Sequence, residues 1–202
     1  MKLHVAAAAI GALILLAASN PLAAQWVWLG GGATVPLSDF ADYGETGLML
    51  AGGFAHSIGE SGLNIGVEGS YGQNNHKDIE RDGTNPIALM GRVGYDFSGP
   101  NANASLYTFA GLGILWHKFT LGESADSGLG LQAGAGYYFP LGSLSGWVEG
   151  RFVHAGIEGE HTTFVGALAG ISIPLGMGSL GANGRGSVTT TVTTPMIPSG
   201  RQ

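Results

Sequence analysis

Between Gln25 and Leu175, apolar and polar residues alternate with a period of two. Successive side chains of a strand point to opposite faces of a sheet, so this pattern indicates strands with one apolar and one polar face. Eight runs show the alternation or are apolar throughout, at residues 25–36, 48–57, 63–73, 85–97, 106–119, 128–139, 147–159 and 163–175. The sequence therefore predicts an all-β fold.

The connections between the predicted strands alternate in character. Those after the second, fourth and sixth strands are nearly uncharged, whereas those after the first, third and fifth are longer or more charged. Short turns at one end, longer loops at the other and an even number of ten-residue strands are typical of outer-membrane barrels. We therefore predict an eight-stranded antiparallel up-and-down transmembrane β-barrel with both termini periplasmic.

The small number of charges indicates which face of the strands is outside. The predicted strands contain seven charged residues, with Lys118 and Glu158 next to strand ends, and 11% of the whole chain is charged, whereas about 25–35% is usual for a soluble surface. A small barrel, by contrast, has a lumen filled with side chains. We predict that the aliphatic face meets lipid and that the lumen holds one charge cluster, with Gln132 as a candidate fifth member. The cluster consists of Glu68, Arg92, Glu149 and Arg151.

Aromatic residues gather near the ends of the predicted strands. Two such bands are typical of the two membrane interfaces of a barrel. The alternative is that aromatic residues simply favour strands. The predicted interface aromatics are Trp26, Trp28, Tyr95, Phe97, Trp116, Phe139 and Trp147.

The two ends of the chain differ in composition from the barrel segment, residues 25–175. Lys2, a short apolar run and the small-residue stretch "PLAAQ" predict a signal peptide at residues 1–24. Residues 176–202 are rich in Gly, Thr and Pro and predict a disordered periplasmic tail. The chain has no cysteine, which excludes disulfides and a lipid-attachment cysteine, and its formal net charge of -6 argues against nucleic acid.

The segments "AGAGYYFPLG", "WVEGRFVHAG" and "GALAGISIPLG" resemble the small outer-membrane β-barrel family of OmpA, OmpX and the opacity proteins. The resemblance covers residues 25–175 and implies a monomer of the cell outer membrane. Its expected partners are outer-membrane lipid, lipopolysaccharide and, during biogenesis, the barrel-assembly machinery. The chain departs from the family where "ISIPL" lacks a terminal aromatic residue, and the tail is too short for a peptidoglycan-binding domain.

One stretch raises a catalytic alternative. Arg151 to His154 match the first half of the Arg-x-x-His-x-Ser-Asn-Ala pattern of outer-membrane lipid A deacylases, but Ala155, Gly156 and Ile157 follow where the serine nucleophile should be. Ser–His chemistry needs that nucleophile, so we predict no enzyme activity. The six histidines show no metal-site spacing and no phosphate cradle or calcium loop is present, so neither a metal nor a cofactor is expected.

The sequence thus predicts an integral outer-membrane barrel with a structural or surface-interaction role, in membrane integrity or adhesion. Eight strands leave little more than side-chain space inside, which argues against a pore. Two alternatives remain: a barrel that binds a small hydrophobic ligand, and, with weaker support, a lipid A deacylase-like esterase.

Overall fold

The computed structural model describes residues 25–77, 83–98, 104–119, 125–142, 144–157 and 160–175. The predicted signal peptide, residues 1–24, and the predicted tail, residues 176–202, lie outside these ranges. The described residues contain no helix that is long and apolar enough to cross a membrane.

The described chain forms eight antiparallel strands in sequence order. They are β1 (Gln25–Leu37), β2 (Gly47–Ser57), β3 (Leu63–Asn75), β4 (Gly83–Asp96), β5 (Ser105–Phe119), β6 (Ala125–Leu141), β7 (Leu144–Ile157) and β8 (Glu160–Pro174). Each strand pairs with the next, and β8 pairs with β1 to close the barrel. The closing ladder runs from Trp26 opposite Pro174 to Leu37 opposite Thr163. The predicted eight-stranded up-and-down barrel is confirmed.

The barrel has two distinct ends. We call the end where β1 begins and β8 finishes the turn end, and the opposite end the loop end. At the turn end, Gly59, Gly62 and Gly142 adopt positive φ angles of 60°, 83° and 64°, a backbone region that glycine enters without steric cost. These residues therefore allow the tight connections from β2 to β3 and from β6 to β7.

Large apolar side chains cover the outside of the barrel. Leu48 is 70% exposed, Leu129 is 64% exposed and Leu29 is 63% exposed. On β3, β4, β6 and β8 the aliphatic face predicted from the sequence is the one that points outward, as Val93 and Ile173 illustrate. Exposed apolar residues on all sides are unusual for a protein in water, whose surface rarely carries large contiguous apolar patches.

Three of the predicted interface aromatics lie instead on the inside of the barrel. Trp28 and Trp147 are almost completely buried, and their rings meet edge to face with centroids 5.6 Å apart. Trp26 packs against the same core. The interface prediction is wrong for these residues because strand parity decides the face: Trp147 precedes the inward-facing Glu149 by two positions.

Glycines on the neighbouring strands leave room for the buried Trp147 ring. A Cβ atom at Gly170 would lie 2.5 Å from Trp147 Cζ2, and one at Gly30 would lie 2.4 Å from the same atom. Cβ atoms do not approach other heavy atoms so closely, so no other residue fits at these positions unless the indole or the backbone shifts. The glycine-rich stretch of β1 thus lets a large aromatic side chain fit into a narrow barrel.

The other predicted interface aromatics occupy outward-facing positions. Tyr95 and Phe97 are exposed near the turn end, with ring centroids 5.3 Å apart in an edge-to-face arrangement. Phe139 is half-buried between the exposed residues Tyr137 and Leu141 on alternate positions of β6, and Trp116 is half-buried near the loop end of β5. These four side chains lie at the two ends of the apolar outer surface.

Candidate functional site

The four predicted cluster residues project into the lumen from three strands. Glu68 lies on β3, Arg92 on β4, and Glu149 and Arg151 on β7. Because β3 and β7 are four strands apart in a closed barrel of eight, they form opposite walls. A barrel of this size is narrow enough for side chains from opposite walls to meet, and the structure brings all four charges into contact.

The four side chains form a closed ring of alternating charge, which we call the charge ring. Arg92 donates to Glu68 Oε2 from Nη1 at 2.9 Å and to Glu149 Oε2 from Nη2 at 2.8 Å. Arg151 closes the ring by donating from Nε to Glu149 Oε1 at 2.8 Å and from Nη1 to Glu68 Oε1. Each guanidinium therefore bridges both carboxylates, and the ring has no net charge.

The charge ring is almost completely removed from solvent. The side chain of Arg92 is 10% exposed, and those of the other three members are at most 2% exposed. The Tyr107 hydroxyl donates to Glu149 Oε2 at 2.9 Å, and the Arg92 guanidinium carbon lies 3.5 Å from the centroid of the Phe109 ring. Hydrogen bonds and a cation–π contact thus replace the hydration that these charges lose on burial.

Gln132 lies in the lumen but does not join the charge ring. Its side chain is 4% exposed, and its Nε2 atom makes no hydrogen bond with any described residue. The structure therefore places the candidate fifth member of the cluster beside the ring rather than within it.

Layers of apolar and aromatic side chains enclose the charge ring. Toward the turn end, Tyr107 stacks on Tyr138 with centroids 4.4 Å apart, next to the Trp28–Trp147 pair. Toward the loop end, the buried residues include Met90, Leu115 and Val153. A cavity of about 10 Å³ next to Arg92 has room for about one water molecule. The described lumen is packed rather than open.

A short helix closes the loop end. Helix α1 (Asp39–Tyr43) lies in the connection between β1 and β2, and its Phe40 side chain is completely buried. The Phe40 ring packs against His117 and Phe164, with centroid distances of 5.8 and 6.5 Å. The first loop therefore folds into the mouth of the barrel, a contact that the hydrophobic pattern of the sequence did not predict.

Hydrogen bonds fix the segment after α1 to the end of β3. The Glu45 amide donates to the Asn75 carbonyl oxygen at 2.8 Å, and Asn74 Nδ2 donates to the Glu45 carbonyl oxygen at 2.8 Å. Asn74 also contacts the buried Thr34 hydroxyl on β1 at 3.1 Å. The sequence signal that could have indicated the packing of the first loop into the barrel is Phe40, a large apolar residue between acidic ones.

The two residues of the deacylase-like motif point to opposite sides of the β7 wall. Arg151 belongs to the charge ring, whereas His154 is on the outer face and its Nδ1 lies 2.9 Å from Thr163 Oγ1. No group of three or more histidine and carboxylate side chains in the described ranges is placed to hold a metal ion. The arginine and the histidine of this motif therefore do not share one site in the described structure.

A closed barrel of eight antiparallel strands with a filled lumen is the fold of the small outer-membrane barrels. Among solved structures, the chain is similar to Neisserial surface protein A (NspA), with a TM-score of 0.61 and 14% identity over 75% of this chain and 97% of that chain. This comparison supports the fold predicted from the sequence, and at this identity it supports the fold alone.

Two further solved structures match with lower scores. The N-terminal β-barrel domain of Pseudomonas aeruginosa OprF gives a TM-score of 0.44 and 15% identity over 73% of this chain and 97% of that chain. Ail, the attachment invasion locus protein of Yersinia pestis, gives 0.42 and 17% identity over 74% and 97%. No protein-family model and no curated protein matches the sequence.

Proposed function

We propose that this chain is an integral outer-membrane protein whose role is structural or lies in surface interaction, and that it is not an enzyme. The observation that carries the proposal is the combination of an apolar exterior with a packed lumen, in which the charge ring has no net charge. An apolar exterior is stable in lipid and unstable in water. A packed lumen has no room for a solute, so the loop end is the surface left for contact with other molecules.

The proposed orientation puts both termini in the periplasm and the loop end outside the cell. It rests on the connections, which are nearly uncharged at the turn end and, for the first three at the loop end, longer or more charged. Outer-membrane barrels have short periplasmic turns and longer extracellular loops. In this orientation α1 and its exposed acidic residues Asp39 and Asp42 face the exterior. The proposed partners are outer-membrane lipid, lipopolysaccharide and the barrel-assembly machinery, with the barrel itself a monomer.

The lumen and the wall of the described barrel give no support to the alternative of a small hydrophobic ligand. A ligand held by the barrel itself would need either a lumen cavity or a lateral gap between strands. The cavity next to Arg92 is about 10 Å³, and the described strands form a closed cycle of neighbours. We therefore keep the structural or surface-interaction role as the proposed function.

Membrane fractionation tests the location of the protein, and planar-bilayer recording tests whether the packed lumen blocks the passage of ions. We expect the protein in the outer-membrane fraction, with unboiled samples migrating as a folded barrel, and no steady ion conductance from the purified protein. Recovery in the soluble fraction would refute the membrane assignment. A steady single-channel current would refute the packed lumen.

A deletion strain separates the two roles. We expect it to be more sensitive to detergent, less adhesive, or both, and wild-type protein to restore the lost property. A variant with serine at the exposed residues of 39–46 should fail to restore adhesion if the loop end is the contact surface. The lumen variant Gln132→Leu, with unchanged loops, is the matched control. Loss of an acyl chain from lipid A on expression would instead establish an esterase.

A further inference from the structure

Two histidines lie side by side on the outer face of the last hairpin, near the loop end. The ring centroids of His154 on β7 and His161 on β8 are 5.5 Å apart, with 25° between the ring planes. The register places Thr163 opposite His154, and His161 opposite Gly156. Because the histidines are diagonal neighbours across an antiparallel pair, their side chains share one face.

The residues opposite the two histidines differ in how they contact the imidazole rings. Thr163 Oγ1 lies 2.9 Å from His154 Nδ1, so the hydroxyl engages that nitrogen and leaves Nε2 as the other coordinating atom of the ring. Gly156 has no side chain, and a Cβ atom there would lie 3.9 Å from His161 Nδ1. The glycine thus leaves open space beside an imidazole that is itself exposed.

Two imidazoles at this separation suit a divalent transition metal. Imidazole nitrogen is a good ligand for Zn²⁺, Cu²⁺ and Ni²⁺, and with Zn–N bonds of about 2.0–2.1 Å, two nitrogens on one tetrahedral ion lie roughly 3.4 Å apart. Side-chain rotation of the exposed His161 can bring its nitrogen to that distance from His154 Nε2. The register places both residues on one face of the hairpin.

We propose that His154 and His161 form a binding site for a divalent transition-metal ion on the outside of the barrel. The protein supplies two imidazole ligands and water completes the coordination, since no third histidine or carboxylate in the described ranges joins the pair. Thr163 is a positioning residue that orients His154. A bound ion bridges β7 and β8 and holds the loop ends of the last two strands together.

Calorimetric titration of the folded full-length mature chain with Zn²⁺ in detergent micelles tests the site. We expect one Zn²⁺ per chain. His154→Ala and His161→Ala should each weaken binding by more than tenfold, and Thr163→Val by about tenfold, the lower end of the effect of losing a residue that orients a ligand. The control His76→Gln removes a loop-end histidine that packs on Tyr43, and it should bind like wild type.

Two further measurements keep the outcome interpretable. The gel shift of unboiled samples verifies that each variant is folded, and NMR spectra of the histidine rings should show two rings shifting together as Zn²⁺ is added. Unchanged Zn²⁺ affinity in both alanine variants would overturn the proposal. A Zn²⁺-induced shift of one ring alone would also overturn it, because the proposed site needs both imidazoles.

Discussion

Replacing Arg151 with methionine removes one of the two cations of the charge ring. Glu68 and Glu149 then share Arg92 as their remaining ring partner, so one negative charge is left uncompensated in a lumen where these carboxylates are at most 2% exposed. Removing one partner of a buried ion pair costs about 3–5 kcal/mol. We expect Arg151→Met to lower the free energy of unfolding by an amount in that range.

The double variant Glu149→Gln with Arg151→Met provides the matched comparison. It leaves Arg92 paired with Glu68 at 2.9 Å, and the ring becomes neutral again. Replacing a whole buried pair is commonly close to neutral for stability. The double variant should therefore be more stable than Arg151→Met alone, with a coupling energy of about 1–3 kcal/mol for groups in direct contact.

Urea unfolding in detergent micelles, followed by tryptophan fluorescence, measures the difference. Gln132→Leu is the control, because Gln132 lies in the same lumen outside the ring. A double variant less stable than the single one would refute the argument from an orphaned charge. An Arg151→Met variant more stable than wild type would instead point to a lipid-facing arginine, whose burial at the bilayer midplane costs about 2–4 kcal/mol.

Three more predictions address other parts of the structure. Phe40→Ala should destabilise the local fold of α1 by about 3–5 kcal/mol, with faster amide hydrogen exchange across residues 39–46 in a barrel that stays folded; unchanged exchange would mean that Phe40 does not hold the loop. Gly170→Ala should lower stability by about 1–3 kcal/mol through overpacking against Trp147, whereas Gly150→Ala, with open space around its Cβ position, should be tolerated; equal urea midpoints would contradict this. Cysteine at Asp78 should react with an impermeant label on intact cells and cysteine at Asn101 should not, and the reverse pattern would invert the proposed topology.

The period of two predicted the strands, and together with the small number of charges it predicted the inward position of Glu149 and Arg151. A residue's face follows from parity once a single residue on the strand is assigned. The same rule, applied consistently, would have placed Trp147 inside with Glu149. Grouping the aromatics by their closeness to strand ends put it at the interface instead, because nearness to an end does not report the face.

Other features could not be predicted because they depend on three-dimensional register. Helix α1 has five residues, too few for a helical period to show in the sequence. The contact between His154 and His161 requires the pairing of Gly156 with His161, and a shift of the hairpin by one residue would send one ring to the other face. The charge cluster was predicted from the sequence, but the hydrogen bonds that close it into a ring depend on side-chain positions that only the structure gives.

The charge ring has a consequence for the assembly of the barrel. Glu68 and Arg92 come from neighbouring strands of the first half of the chain, whereas Glu149 and Arg151 both lie on β7. Each half therefore contributes one acidic and one basic residue to the charge ring. The contribution of each half to the ring has no net charge when that half enters the bilayer. The bonds from Arg92 to Glu149 and from Arg151 to Glu68 form when the two halves meet. These two ion pairs therefore stabilise only the closed barrel, and a barrel whose two halves have not yet met does not contain them.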